Sequence, residues 1–86
     1  MPRDPAYRAA LDVLNEYGRA GETYDEFNSP HEGYAVLLEE VDELWDEIKN
    51  DKKPGSLERM REEAIQVGAM ALKFIVMLDR IEGVNH

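Results

Sequence analysis

Cysteine is absent from the 86 residues, which excludes both a disulfide framework and a thiolate metal centre, and compartment cannot be read from redox chemistry. Histidine is scarce. Only His31 and His86 occur, and neither lies three residues after a glutamate, so the Glu-x-x-His pairs of a ferritin-like di-iron bundle are missing. No run approaches the roughly 18 apolar residues of a membrane span. The N-terminal stretch MPRDPAYRAALDVLNEY is charged and amphipathic, without the apolar core of a secretory signal. The expectation is a soluble, cytoplasmic protein with no membrane partner. Basic charge is also short: 10 Lys and Arg stand against 19 Asp and Glu, a net charge of −9, which argues against direct binding to a nucleic-acid backbone. Nucleotides stay within reach, because divalent cations can bridge a triphosphate to carboxylates. Period-2 alternation nowhere persists over the length of a strand, and there is no repeat, low-complexity segment or linker. What remains is one small all-α domain over residues 1–86, of a size that buries a modest fraction of its surface and gains from oligomerisation.

The strongest helix signal is Ser29 to Asn50, SPHEGYAVLLEEVDELWDEIKN. Ser29 can cap it, Pro30 suits the first helical position, and Glu32 completes a capping box. Tyr34, Leu37, Leu38, Val41, Leu44, Trp45 and Ile48 recur at the spacing of one buried face, all within roughly 60° of Val41 on a helical wheel. Acidic stripes flank that face: Glu40, Glu43 and Glu47 on one side, Glu39, Asp42 and Asp46 on the other. Before this helix, Asp4 and Pro5 open a first one of about residues 5–18, with Tyr7, Ala10, Leu11, Leu14 and Tyr17 at helical spacing and Gly18 and Gly21 expected to stop it. The stretch AGETYDEFNSP reads as a loop whose aromatics Tyr24 and Phe27 pack over the bundle end or touch a ligand. His31 reads as a surface or loop-packing residue, and Trp45 as core.

After the turn NDKKPGS, with Ser56 as a candidate cap, a third helix is expected from about Leu57 to about Ile81, with Gly83 near its end. It is apolar on two sides. Met60, Ala64, Val67, Ala71, Phe74, Leu78 and Ile81 form one stripe, and Ile65, Ala69, Leu72 and Val76 form another roughly 180° away. One face can pack on the first two helices; the other calls for a second copy of the chain, with Gly68 and Ala69 allowing close approach. A homodimer, or a homotetramer as a dimer of dimers, is therefore expected.

The carboxylates point to chemistry. Glu40, Glu43 and Glu47 repel along one side of their helix, each close pair costing a few tenths of a kcal/mol. Glu63 falls inside the first apolar stripe of the third helix, where desolvating its charge costs several kcal/mol without a partner. Two partners are conceivable: a salt bridge to Arg59 or a rim lysine, or a hard cation shared with Glu40 and Glu43 across the bundle. Oxygen-only ligands select Mg²⁺ or Mn²⁺ over zinc.

With these residues in view, the chain resembles the MazG-like all-α nucleotide pyrophosphohydrolases, the superfamily that also holds dimeric dUTPases and dCTP pyrophosphatases. Their pattern is E-E-x-x-E on one helix and E-x-x-D on the next. Here Glu39-Glu40-Val41-Asp42-Glu43 matches the first element, and Glu63-Ala64-Ile65-Gln66 follows in the place of the second. The phrases HEGYAVLLEEVDELWDEI and REEAIQVGAMALKFI resemble small stand-alone members, and the likeness covers roughly residues 27–78.

The resemblance implies a MazG-like helical bundle that binds Mg²⁺ or Mn²⁺ and hydrolyses a (deoxy)nucleoside triphosphate to the monophosphate and pyrophosphate, as in cleansing of the nucleotide pool. By it, Glu40, Glu43 and Glu63 are metal ligands and Glu39 orients or deprotonates the attacking water. Gln66 stands where the family has an aspartate. Its amide oxygen can ligate a hard cation only without charge, so Asp46 or Glu47 contributes instead, or fewer ions are held, or hydrolysis is lost. That last case is the alternative reading, a non-catalytic dimeric helical module that binds nucleotide or protein. Lys49, Lys53 and Lys73 are the candidate substrate-binding residues, and Lys52 and Arg59 are further phosphate neighbours or solvated surface.

Overall fold

The computed structural model describes residues 4–23 and 25–83, which form three α-helices and, among them, no strand. The helices are α1 (Pro5–Thr23), α2 (Pro30–Lys49) and α3 (Ser56–Ile81). Tyr24 and His86 lie outside the described residues. No described helix is long and apolar enough to cross a membrane.

Local chemistry sets the boundaries. Asp4 opens α1 by accepting the Ala6 N–H at 2.9 Å, with Pro5 at the first helical position. The helix does not stop at Gly18. It runs through Gly18 and Gly21 to Thr23, because a glycine costs a helix interior only about 1 kcal/mol while Ala20, 5% exposed, is held in the core and Arg19 pairs with Glu16 one turn back. At α2 the Ser29 hydroxyl accepts the Glu32 N–H at 3.1 Å. Glu32 reaches back one residue further than a capping box requires and accepts from the Asn28 N–H and Nδ2, tying the loop to the helix. Ser56 does not cap α3. Gly55 takes the cap position at φ 76°, a conformation glycine adopts without strain, and the buried Ser56 hydroxyl donates to the Asp51 carbonyl at 2.6 Å.

Helix α3 lies between the other two, whose backbones stay apart. Its two apolar sides are each partly covered within the chain: Ala69 is buried and most of the other stripe residues are half-buried, while Ala64 and Ile81 are exposed. Toward α1, a methyl on Gly68 would sit 3.1 Å from Val13, and Ala69 is fully buried. The close approach at Gly68 thus serves α1, not a second copy. Toward α2, Phe74 lies against Gly33, where an added methyl would come within 2.7 Å of the ring. The core joins Ala20, Phe27, Ala69, Met70 and Met77, with Tyr17, Val36, Leu37, Phe74 and Leu78 packed around it. The line of α3 made by Met70, Lys73 and Met77 is buried, although neither apolar stripe contained it.

The larger correction concerns α2. Gly33, Val36, Leu37, Glu40, Leu44 and Glu47 are its buried or half-buried positions, whereas Tyr34, Leu38, Val41, Trp45 and Ile48 are exposed. On the wheel, the buried face is turned by roughly 90° from the apolar centre at Val41. One acidic stripe therefore enters the α2–α3 interface, and a run of large apolar side chains at alternating spacings of four and three is left open. Trp45 is 55% exposed rather than core, and on α1 Tyr7, Leu11 and Leu14 are likewise open. The chain is accordingly thin, 45 × 35 × 19 Å, and its 6568 Å² of accessible surface exceeds the about 5,200 Å² that area–mass scaling gives a compact monomer of 9.9 kDa.

Two glycine substitutions test this packing. Gly33→Ala should destabilise by roughly 1–2 kcal/mol, since crowding Phe74 and Phe27 outweighs the gain in helix propensity. Gly18→Ala meets nothing within 4 Å and should stabilise by about 0.5–1 kcal/mol. Thermal melts of both variants check the pair, and equal shifts would refute the close contact at Gly33.

Candidate metal centre and adjoining cleft

The turn of α2 that brings its acidic flank onto α3 creates the site. Glu40 and Glu43, one helical turn apart, meet Glu63 from α3, and one carboxylate oxygen of each lies within 4.8 Å of the others. Glu43 lies next to both Glu40 and Glu63 and opposes their ionisation. Among the described residues, Glu63 Oε2 is buried with no hydrogen-bond partner.

The electrostatics follow from that arrangement. Burial, then the charge and hydrogen bond of Glu43, then the charges of Glu63 and Glu39, push the Glu40 carboxyl up to about 7. Glu63 is raised by burial first, then by Glu43, and further by Glu47 and Glu62. Arg59 does not relieve it. Its Nε donates to Glu47 Oε1 at 2.9 Å and its Nη1 to the Pro54 carbonyl at 2.9 Å. The salt-bridge partner considered for Glu63 is thus engaged elsewhere, and Glu47 is occupied by it. Asp46 is likewise paired, 3.1 Å from Lys49. Three carboxylates with an orphaned oxygen can hold a divalent cation, whose charge would remove the repulsion and satisfy Glu63 Oε2.

A cleft of about 510 Å³ adjoins the cluster and shares Glu40 with it. Glu39 and Gln66 line this cleft. Gln66 lies beside Glu16, whose carboxyl is held below its ordinary range by Arg19 first and by Gln66 in addition. Lys73, only 8% exposed, also faces the cleft, with its Nζ 4.6 Å from the centre of the buried Phe27 ring. Lys49 and Lys53 sit apart from Lys73, on a separate groove at the α2–α3 turn beside Lys52. Lys49 Nζ also lies 5.9 Å from the Trp45 ring centre. His31 is exposed in the first turn of α2. Phe27 is the residue whose weight the sequence understated: an aromatic in a turn-rich loop carried no period to place it, yet it belongs to both core and cleft wall.

A pH series tests the cluster. Between 4.5 and about 7 the folded chain binds more protons at Glu40 than the unfolded chain, so stability should fall as pH rises through that window. Glu16, with its lowered pKa, acts in the opposite sense but only below 4.5. Melting in a chelator should therefore occur at higher temperature at pH 5 than at pH 8. Glu40→Gln should flatten the slope and stabilise the chain at pH 8 by roughly 1–2 kcal/mol, allowing for the solvent still in contact with the group. A slope that survives in the variant would place its source elsewhere.

Protein-family models, curated proteins and solved structures were all compared with the chain, and none matches it.

Proposed function

We propose that the chain is a Mg²⁺- or Mn²⁺-dependent nucleoside triphosphate pyrophosphohydrolase. The observation that carries this reading is the convergence of Glu40, Glu43 and Glu63 from two helices around an acceptor that nothing among the described residues satisfies. A divalent cation bound there supplies phosphate-charge neutralisation and a lowered pKa for water. Glu40, Glu43 and Glu63 hold it, and their negative charge keeps the site selective for hard cations. Glu39, on the cleft wall beside Glu40, orients the attacking water and takes its proton. Gln66, beside Glu16 on the cleft wall, offers no fourth charge, which favours a site of few ions.

We also propose that the active form is a homodimer or a dimer of dimers. The open seam of Tyr34, Leu38, Val41, Trp45 and Ile48 supports it. So does the surface excess, roughly 1,400 Å², against about 800 Å² per partner in a standard interface. Two such seams can pack as antiparallel helices across a two-fold axis.

Added Mg²⁺ at pH 8 should raise the melting temperature of the wild type and leave that of Glu43→Ala unmoved. With Mg²⁺ and a panel of ribo- and deoxynucleoside triphosphates, pyrophosphate should be released by the wild type and at least about 100-fold more slowly by Glu43→Ala. Nucleotide binding without turnover would favour the non-catalytic module. Light scattering after size exclusion should give at least twice 9.9 kDa for the wild type, and Val41→Glu should return it to the monomer mass.

A further inference from the structure

The cleft holds one feature that neither metal binding nor hydrolysis uses. Lys73 is more than nine-tenths buried and lines the cleft wall, and among the described residues its Nζ makes no ion pair or hydrogen bond. Its one close partner is the Phe27 ring face at 4.6 Å, which steadies the ammonium but accepts none of its hydrogens. The ammonium is open to the cleft, so an occupant that brings an acceptor can reach it. Phe27, Val36, Met70 and Ala20 supply an apolar floor beside it.

We propose that this end of the cleft receives a planar heterocycle with a carbonyl next to a ring N–H, the edge common to uracil, thymine, guanine and hypoxanthine, with Lys73 donating to the carbonyl. An anion is the obvious rival ligand for a lysine, and the surroundings oppose it. Glu16, Asp25, Glu26, Glu32, Glu39 and Glu40 all line the cleft, against Arg19 and Lys73, so it repels free anions while tolerating a neutral acceptor. The same carboxylates accept the ring N–H. Adenine offers no carbonyl and presents an amino group, a donor, toward the ammonium.

Spacing along α3 fits this assignment. Lys73 follows Glu63 by ten residues, about 15 Å of helix at 1.5 Å per residue, which sets it beyond the phosphates gathered at the cluster and toward the base of an extended nucleotide. That the ring is a nucleotide's base rests on the hydrolase reading; the ring pocket itself does not.

Nucleosides separate the two, since they carry no phosphate and need no metal. In chelator, NMR titration of the full chain with uridine, inosine and adenosine should perturb Phe27 and Lys73, with uridine and inosine bound at least about tenfold more tightly than adenosine. Lys73→Met, which keeps the apolar stem, should abolish that preference, and Phe27→Leu should weaken all three alike. Equal affinities, no perturbation by any nucleoside, or a preference untouched by Lys73→Met would overturn the pocket even if triphosphates are hydrolysed. Selective nucleoside binding without hydrolysis would uphold it and remove the hydrolase reading.

Discussion

The desolvation of Glu63 is the constraint on which the rest depends. A carboxylate placed among the apolar residues of α3 must be answered from across the bundle, and the residues that face it are themselves acids, Glu40 and Glu43. Replacing them by apolar side chains would make the α2–α3 contact more stable, as for buried ionic groups generally. The chain instead keeps three crowded carboxyls and leaves Glu63 Oε2 unsatisfied among the described residues. Strain of this kind is a property of sites rather than of cores.

That choice has a cost on the far side of α2. To present Glu40 and Glu47 to α3, the helix turns its most apolar line away, and Val41 and Trp45 come to the surface. The acidic centre and the open apolar seam are thus two consequences of one rotation. The thin core follows as well. No large side chain among the described residues is fully buried, and methionines fill much of the interior. Ion pairs help to fasten the outer helices, Arg61 to Asp12 and Arg80 to Glu26 between α3 and the segments of α1 and its loop, Arg59 to Glu47 on the α2 side. Such partly exposed pairs contribute little individually, so the proposed second copy would supply most of the missing burial.

The cleft connects these features. Glu40 belongs to both cluster and cleft wall, while Phe27 belongs to both cleft and core, held there because residue 33 has no side chain to displace it. Packing in the core and the shape of the cleft are therefore coupled through one ring. Gln66, at the position where an acid is expected by resemblance, lines the cleft beside Glu16 of α1.

The sequence by itself determined the number and order of the helices, the Asp4 and Ser29 caps, the turn at Pro54 and Gly55, and the three acids that would meet, because capping and spacing are local and Glu63 violates its own stripe. It determined less well where α1 ends, since a glycine's small penalty is outweighed by a tertiary contact at Ala20 that no local pattern reveals. Only the tertiary structure decided which side of α2 is buried. The apolar arc around Val41 and the flank holding Glu40 are adjacent on the wheel, and periodicity fixes an arc without choosing which part of it faces a neighbour. It likewise decided that α1 and α2 both pack on α3, that Arg59 is taken by Glu47, and that Phe27 and Lys73, one in the loop before α2 and one late in α3, share a cleft. Those pairings follow from how helices cross, which depends on close approach at Gly33 and Gly68 and leaves no period in the sequence to read.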